Sequence, residues 1–269
     1  MQITVHTRAV VTGASRGIGR ALAERLAARG ATVGLAARSA AELSALADAL
    51  PAPSRAGGHP VLACDVGDRA SVAAAMGTFI QRTGGLELIV ANAGVAHYGP
   101  FRDQPSELVE RMTQINWLGT VHTVAAALEH MLDRGEGHVV IVASGAALRS
   151  FPWAAVYGAT KAAQRGFGEA LRHELSGTGV SLTMVYPGEI GTSLHDHERT
   201  MPDWYRGGAD ASPASKLAER TVRAVERDRR ALYYPSLVRT MGVIHGVSPR
   251  LCDHMLAALR GGTAAPRRD

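Results

Sequence analysis

Along this chain, short apolar runs alternate with longer segments whose apolar residues recur every three or four places. Residues 9–12 (AVVT) form a run of strand length, and Ile18, Leu22 and Leu26 give residues 17–29 a helical spacing. Gly30 ends that helix, and residues 31–36 (ATVGLA) predict a second strand. The pattern then predicts a helix over 41–50 stopping at Pro51, a strand at 61–64, a helix over 69–83 and a strand at 86–91. A long helical stretch over 105–132 follows, then a strand at 138–143 (HVVIVA), a helix over 155–175 and a strand at 180–186. The last elements are a helix over 212–227, with Ser212 as cap and Pro213 in first position, a short strand at 231–234 and a closing helix over 250–259. Residues 51–60 read as a loop and 261–269 as a loose tail.

Strand–helix alternation throughout predicts an α/β fold, a parallel sheet covered by helices on both faces. A strand such as HVVIVA is apolar on both sides, as burial on both faces requires. The 269 residues fit a single domain, 1–269, within which a segment at about 189–211, rich in His, Asp, Gly and Pro, predicts a lid. Residues from about 236 to 269 form a carboxy-terminal extension.

Composition narrows the classes. Hydrophobic content of 46% fits a soluble globular chain. Cys64 and Cys252 stand alone, without CxxC spacing, so neither a disulfide framework nor a metal site is expected. A reducing cytoplasm is the expected compartment. The net charge of +5 is spread without a block of like charges, which argues for a solvated arginine-rich surface and against nucleic-acid binding. No apolar stretch is long enough for a transmembrane segment, and no signal peptide is expected.

Two stretches carry chemistry. Residues 12–20, TGASRGIGR, lie between a strand and a helix, where a glycine-rich phosphate loop belongs. Gly13 permits the turn, Gly17 lets backbone approach a pyrophosphate, and Gly19 lets helix and sheet pack closely. Ser15 and Ile18 fill the loop, and the helix start offers free amides to an anion. The second strand ends at Ala37-Arg38, where a site for NAD carries an acid. With Arg16 in the loop and no acid at this place, NADP(H) is expected over NAD(H). Asp65 and Val66 end the third strand, Asp65 being suited to the adenine amino group or to capping a loop or helix. Asn92, Ala93 and Gly94 make a small turn at the carboxyl edge of the sheet.

The second stretch is VYGATKAAQ, residues 156–164. Lys161 and Lys216 are the lysines of a chain whose other 27 basic residues are arginine. Tyr157 and Lys161 share one helix face, and a compact cation there is expected to lower the phenol's pKa. Ser144 follows the HVVIVA strand, suited to a carbonyl oxygen or to the tyrosine. Asn116, a poor helix former inside a long helix, suits a bulge, a bound water or a satisfied core position.

With these residues, the chain resembles the short-chain dehydrogenase/reductases, in the single-domain branch of about 250 residues with a Rossmann-type doubly wound sheet. TGASRGIG is similar to the family's TGxxxGxG loop, ANAG at 91–94 to its NNAG motif, and Asn116, Ser144, Tyr157 and Lys161 to its catalytic tetrad. Pro187, Gly188, Ile190 and Thr192 fall in a PGxxxT segment like the one that closes over the nicotinamide. The resemblance covers about residues 8–235. It implies an oxidoreductase acting on CH–OH and C=O groups, Tyr157 as general acid or base, Lys161 lowering its pKa and holding the ribose, Ser144 polarising the carbonyl, and Asn116 supporting a relay water.

Leu148, Phe151, Trp153, Tyr98, Leu194, Trp204 and Tyr205 suggest an apolar carbonyl or alcohol substrate. His195 and His197 read as solvated lid residues. The carboxy-terminal stretch is expected to be buried; covering the substrate mouth, meeting another subunit and peripheral membrane contact are its other readings. The family implies a homodimer or homotetramer. Two rival functions are a non-catalytic NADP-binding regulator and a nucleotide-sugar epimerase or dehydratase.

Overall fold

In the computed structural model, which describes residues 1–53, 57–196 and 211–260, seven parallel strands make one sheet. The chain runs through β1 (Arg8–Thr12), α1 (Gly17–Ala27), β2 (Thr32–Ala37), α2 (Ala40–Ala49), β3 (Val61–Ala63), α3 (Arg69–Thr83) and β4 (Leu88–Ala91). After α4 (Ser106–Met112) comes a π-helical segment, Thr113–Leu118, then α5 (Gly119–Arg134), β5 (Gly137–Val142), α6 (Ala155–Glu174) and β6 (Val180–Pro187). The two-residue strands β7 (Ile190–Gly191) and β8 (Ser212–Pro213) pair with each other. The chain closes with α7 (Ala214–Glu226), β9 (Ala231–Tyr234), α8 (Leu237–Val247) and α9 (Pro249–Arg260).

The sheet order is β3-β2-β1-β4-β5-β6-β9. The chain winds outward from β1 to β3, returns through α3 to β4 on the other side of β1, and winds away again. That reversal opens a crevice at the carboxyl ends of β1 and β4. Successive side chains of β1 serve opposite faces, as the pleat dictates. Ala9 and Val11 join the core under α1, α2 and α7, whereas Val10 joins the core under α3, α5 and α6. Leu22, Leu26, Leu217 and Val222 seal the first face; Val72, Met76, Phe79 and Met131 seal the second. Each such side chain, fully buried, contributes about 1.5–3 kcal/mol. Among the described residues, no helix is long and apolar enough to cross a membrane.

Three elements differ from the pattern-based expectation. The stretch over 105–132 is interrupted by the π segment, at which Asn116 turns its side chain onto the Val95 backbone. Ser212 does not cap α7. Its backbone pairs with Ile190 in the small ribbon, so the helix starts after an extended Pro213. The helix α8 escaped the pattern because Gly242 and Gly246 weaken its propensity. The tail at 261–269 and most of the expected lid, residues 197–210, lie outside the described residues.

Candidate active site

At the end of β1 the chain turns through Gly13, whose φ of +68° suits glycine, and enters α1. Arg16 precedes the helix with extended backbone and no side-chain capping bond, which leaves the first amides of α1 free of a side-chain acceptor. Gly19 crosses the loop so closely that a Cβ there would stand 2.1 Å from the Gly13 carbonyl oxygen. Asn92 braces this turn. Its Nδ2 donates to the Thr12 carbonyl at 2.9 Å and to that of Gly13 at 3.4 Å, and its N–H donates to Thr12 Oγ1.

Above the loop lies a cavity of about 720 Å³. Every residue expected from sequence at the cofactor or the reacting centre lines it, except Gly19, which packs beneath the loop, and Asn116, which lies behind it. At one end stand Arg16 and Arg38, both exposed, with Ala37, Ser39, Asp65 and Val66. Glu42, which the sequence reading passed over, shares that end. It lies one turn into α2, where no strand-end motif would point to it. Asp65 Oδ1 accepts from the Gly67 amide at 2.9 Å, so it shapes its own loop, while Asp68 caps α3. Ala93, Gly94, Pro187, Gly188, Ile190 and Thr192 form the middle of the wall.

The residues expected at the reacting centre come together where β5 ends and α6 begins. Ser144 opens a short turn by accepting from the Ala146 amide at 3.1 Å, and its side chain also hydrogen-bonds Tyr157. Tyr157 and Lys161 are both buried on one face of α6. Lys161 Nζ donates to the Val142 carbonyl at 3.2 Å and stands 5.8 Å from the centre of the Tyr157 ring. Burial pushes the phenol above its ordinary pKa, and the Ser144 bond draws it partly back. The expected lowering by Lys161 is absent. The amine lies over the ring rather than against the oxygen, and burial pushes its own pKa down to about 7, so near neutrality it carries only part of a charge.

Asn116 is fully buried behind these two side chains. Its Oδ1 accepts from Val95 N at 2.8 Å, and its Nδ2 donates to Val95 O and to Thr160 Oγ1. It therefore fixes the loop after β4 to α6, beside Gly94, whose position lies close to both Asn116 Oδ1 and Lys161 Nζ.

The other half of the cavity is apolar. Tyr98 meets the Tyr157 ring edge-on at 6.0 Å, and Leu148, Phe151, Ala154 and Leu194 complete that side. Trp153 is not part of the lining, and Trp204, Tyr205 and His197 lie outside the described residues. His195 is not a solvated lid residue: it is half-buried in the cavity wall, 5.4 Å from Tyr98. The far wall comes from α8 and α9 through Val238, Met241, Gly242 and Leu256. The carboxy-terminal extension thus covers the apolar half of the cavity, with Arg149 bonded to Asp253 at 2.7 Å and Cys252 buried. The apolar spacing of these helices was visible in sequence; their destination was not. Among the described residues, no group of three or more His, Cys, Asp or Glu could hold a metal ion.

The short chain dehydrogenase family model matches residues 7–203, from the first strand through the Tyr157–Lys161 helix and beyond. The chain belongs to the short chain dehydrogenase family. Dehydrogenase/reductase SDR family member 7B of Mus musculus is 29% identical over 257 residues, covering 93% of this chain and 80% of that protein. A short chain dehydrogenase/reductase from Burkholderia phymatum, solved in complex with NAD, superposes with a TM-score of 0.80 at 26% identity, over 91% of this chain and 94% of that one. An alcohol dehydrogenase from Thermococcus sibiricus, complexed with 5-hydroxy-NADP, gives a TM-score of 0.74 at 27% identity, over 84% and 95%. In this member of the family, α8 and α9 stand as a carboxy-terminal wall beside the parallel sheet's crevice.

Proposed function

We propose that this protein is an NADP(H)-dependent oxidoreductase that interconverts a carbonyl and an alcohol on an apolar small molecule, with Tyr157 moving the proton. The observation that carries the reading is one continuous cavity. A glycine turn and a helix start form one part, the buried Tyr157, Ser144 and Lys161 stand in the middle, and an apolar chamber closes the other part. The tight Gly13–Gly19 crossing and the helix start fit a pyrophosphate, so the residues present suit a dinucleotide. When bound, that cofactor gives or accepts the hydride.

The remaining chemistry belongs to the chain. In the reducing direction Tyr157 Oη donates its proton to the carbonyl oxygen as that oxygen becomes an alcohol; in the oxidising direction it takes the proton back. Burial keeps the phenol protonated at neutral pH, the form that donation needs. Ser144 holds the phenol and offers its hydroxyl to the same carbonyl oxygen. Lys161, when charged, supports the phenolate left behind. The apolar half excludes water and selects the body of the substrate. Arg16 and Arg38 suit a 2′-phosphate through charge-assisted bonds, in a corner they share with Glu42 and Asp65.

The test is consumption of NADPH with a panel of apolar ketones and aldehydes by the wild type and Tyr157→Phe. The variant is expected to bind NADPH as before while turnover falls by about 10²–10⁴-fold. Turnover close to that of the wild type would overturn the assignment.

A further inference from the structure

The helix α8 carries apolar residues on two faces, yet none of its residues is buried. One face is accounted for, because Val238, Met241 and Gly242 line the cavity. On the other, Val243 and Val247 lie one turn apart and are 59% and 83% exposed. Leu237 at the start of α8 is 55% exposed, and Leu251 in the first turn of α9 is 53% exposed. These four make up most of the seven large hydrophobic side chains exposed among the described residues, so the apolar surface is gathered on one helix pair rather than scattered. Leu237 also lines the cavity, which brings the patch to the mouth of the apolar chamber.

The charges around the patch have one sign. Arg239 stands one turn before Val243 on the same face, and Arg250 adjoins Leu251; both are exposed, and neither forms an ion pair among the described residues. Asp253, the single acid of residues 229–260, is taken by Arg149. A second copy of the chain fits this surface poorly. A two-fold interface sets a patch against itself, here arginine toward arginine, and four apolar side chains fall far short of the roughly 20–30 residues that a stable interface engages on each side. Apolar side chains flanked by unpaired cations match a lipid surface with anionic headgroups.

We propose that α8 and the start of α9 dock on an anionic lipid surface, with Leu237, Val243, Val247 and Leu251 entering the boundary between headgroups and acyl chains and Arg239 and Arg250 held at the phosphates. Docking sets the mouth of the chamber at that boundary, and the substrate is then a lipid-dissolved carbonyl or alcohol compound; this last step rests on the function proposed above.

Co-sedimentation of the full-length protein, without cofactor or substrate, with vesicles of mixed phosphatidylglycerol and phosphatidylcholine tests the docking. The wild type is expected to bind them at least about tenfold more tightly than vesicles of phosphatidylcholine alone, and the difference should shrink as salt is raised. The double variant Val243→Ser, Val247→Ser alters two residues outside the cavity lining. It is expected to weaken binding to the mixed vesicles about tenfold or more with Tm unchanged. Leu132→Ser, exposed in the last turn of α5 at the amino-terminal edge of the sheet, should bind as the wild type does. Absence of vesicle binding by the wild type overturns the proposal. So does binding that survives the double variant, which would be attraction by net charge alone, or an equal loss in Leu132→Ser. Self-association in analytical ultracentrifugation that the double variant abolishes, without vesicle binding, would assign the patch to a second copy and overturn it as well. Vesicle binding requires no turnover, so a failure here is distinguishable from a failure of the Tyr157 assignment.

Discussion

Gly19→Ala probes the crossing that shapes the phosphate loop. The added Cβ would meet the Gly13 carbonyl oxygen at 2.1 Å, the Gly13 carbonyl carbon at 2.7 Å and Asn92 Nδ2 at 2.6 Å. Two of these are backbone atoms, and Asn92 is itself bonded to Thr12 and Gly13, so no flexible side-chain tip can move aside. Relief requires the turn and α1 to separate by roughly 1 Å, and overpacking of this kind typically costs about 1–3 kcal/mol. At about 2–4 °C per kcal/mol for a chain of this size, Tm should fall by about 2–12 °C. The same separation displaces the loop amides, so affinity for NADPH should fall at least tenfold. Differential scanning fluorimetry and a fluorescence titration with NADPH measure the two effects. Gly166→Ala on α6 is the control. Nothing lies within 4 Å of the added methyl, and a gain of about 0.5–1 kcal/mol is expected from helix propensity. If Gly19→Ala matched the wild type in both Tm and NADPH affinity, the account of the loop as a close-packed cradle would be refuted.

Arg38→Asp should weaken NADPH more than NADH, measured as the ratio of their dissociation constants; an unchanged ratio removes the 2′-phosphate reading. His138, fully buried on β5 with Nε2 bonded to Thr183 Oγ1 at 2.8 Å, is held by burial at a pKa of about 4 against an ordinary 6.5. Its folded-state pKa is depressed, so the unfolded chain binds more protons, and stability present above pH 6.5 is lost as pH falls toward 4. The loss is of the order of 3 kcal/mol. His138→Val should show a shallower decline of Tm between those pH values, and parallel declines would refute the linkage. Met241→Trp narrows the apolar chamber from α8. It should reduce kcat/KM for bulky ketones about tenfold or more relative to the smallest ketone accepted, and equal losses across sizes would remove Met241 from the substrate wall.

The order of strands and helices was legible because a buried parallel strand and an amphipathic helix impose different local periods. HVVIVA and the Ile18–Leu22–Leu26 spacing predict their elements within a residue or two of β5 and α1. The glycine turn and the Tyr157–Lys161 pair were also local matters, one set by backbone freedom and the other by a single helical turn. The fate of Asn116 was half legible. Its poor helix propensity predicts a disturbance, but the bonds that absorb it run to Val95 and Thr160, 21 and 44 residues away.

The sequence by itself determined the α/β class, the glycine turn after β1 and the family, because each depends on residues close together along the chain. Tertiary structure alone decided which long-range partners each side chain meets. It brought α8 against Leu148 and Leu256 of α9 into the wall of the chamber, turned Gln164 onto the Asn116 carbonyl, and drew Ser212 into a ribbon with Ile190 instead of a helix cap. It also reversed the simple electrostatic expectation for Tyr157. An i,i+4 spacing specifies a shared face, whereas the pKa of a phenol depends on how much water surrounds it and on where the amine's nitrogen comes to rest.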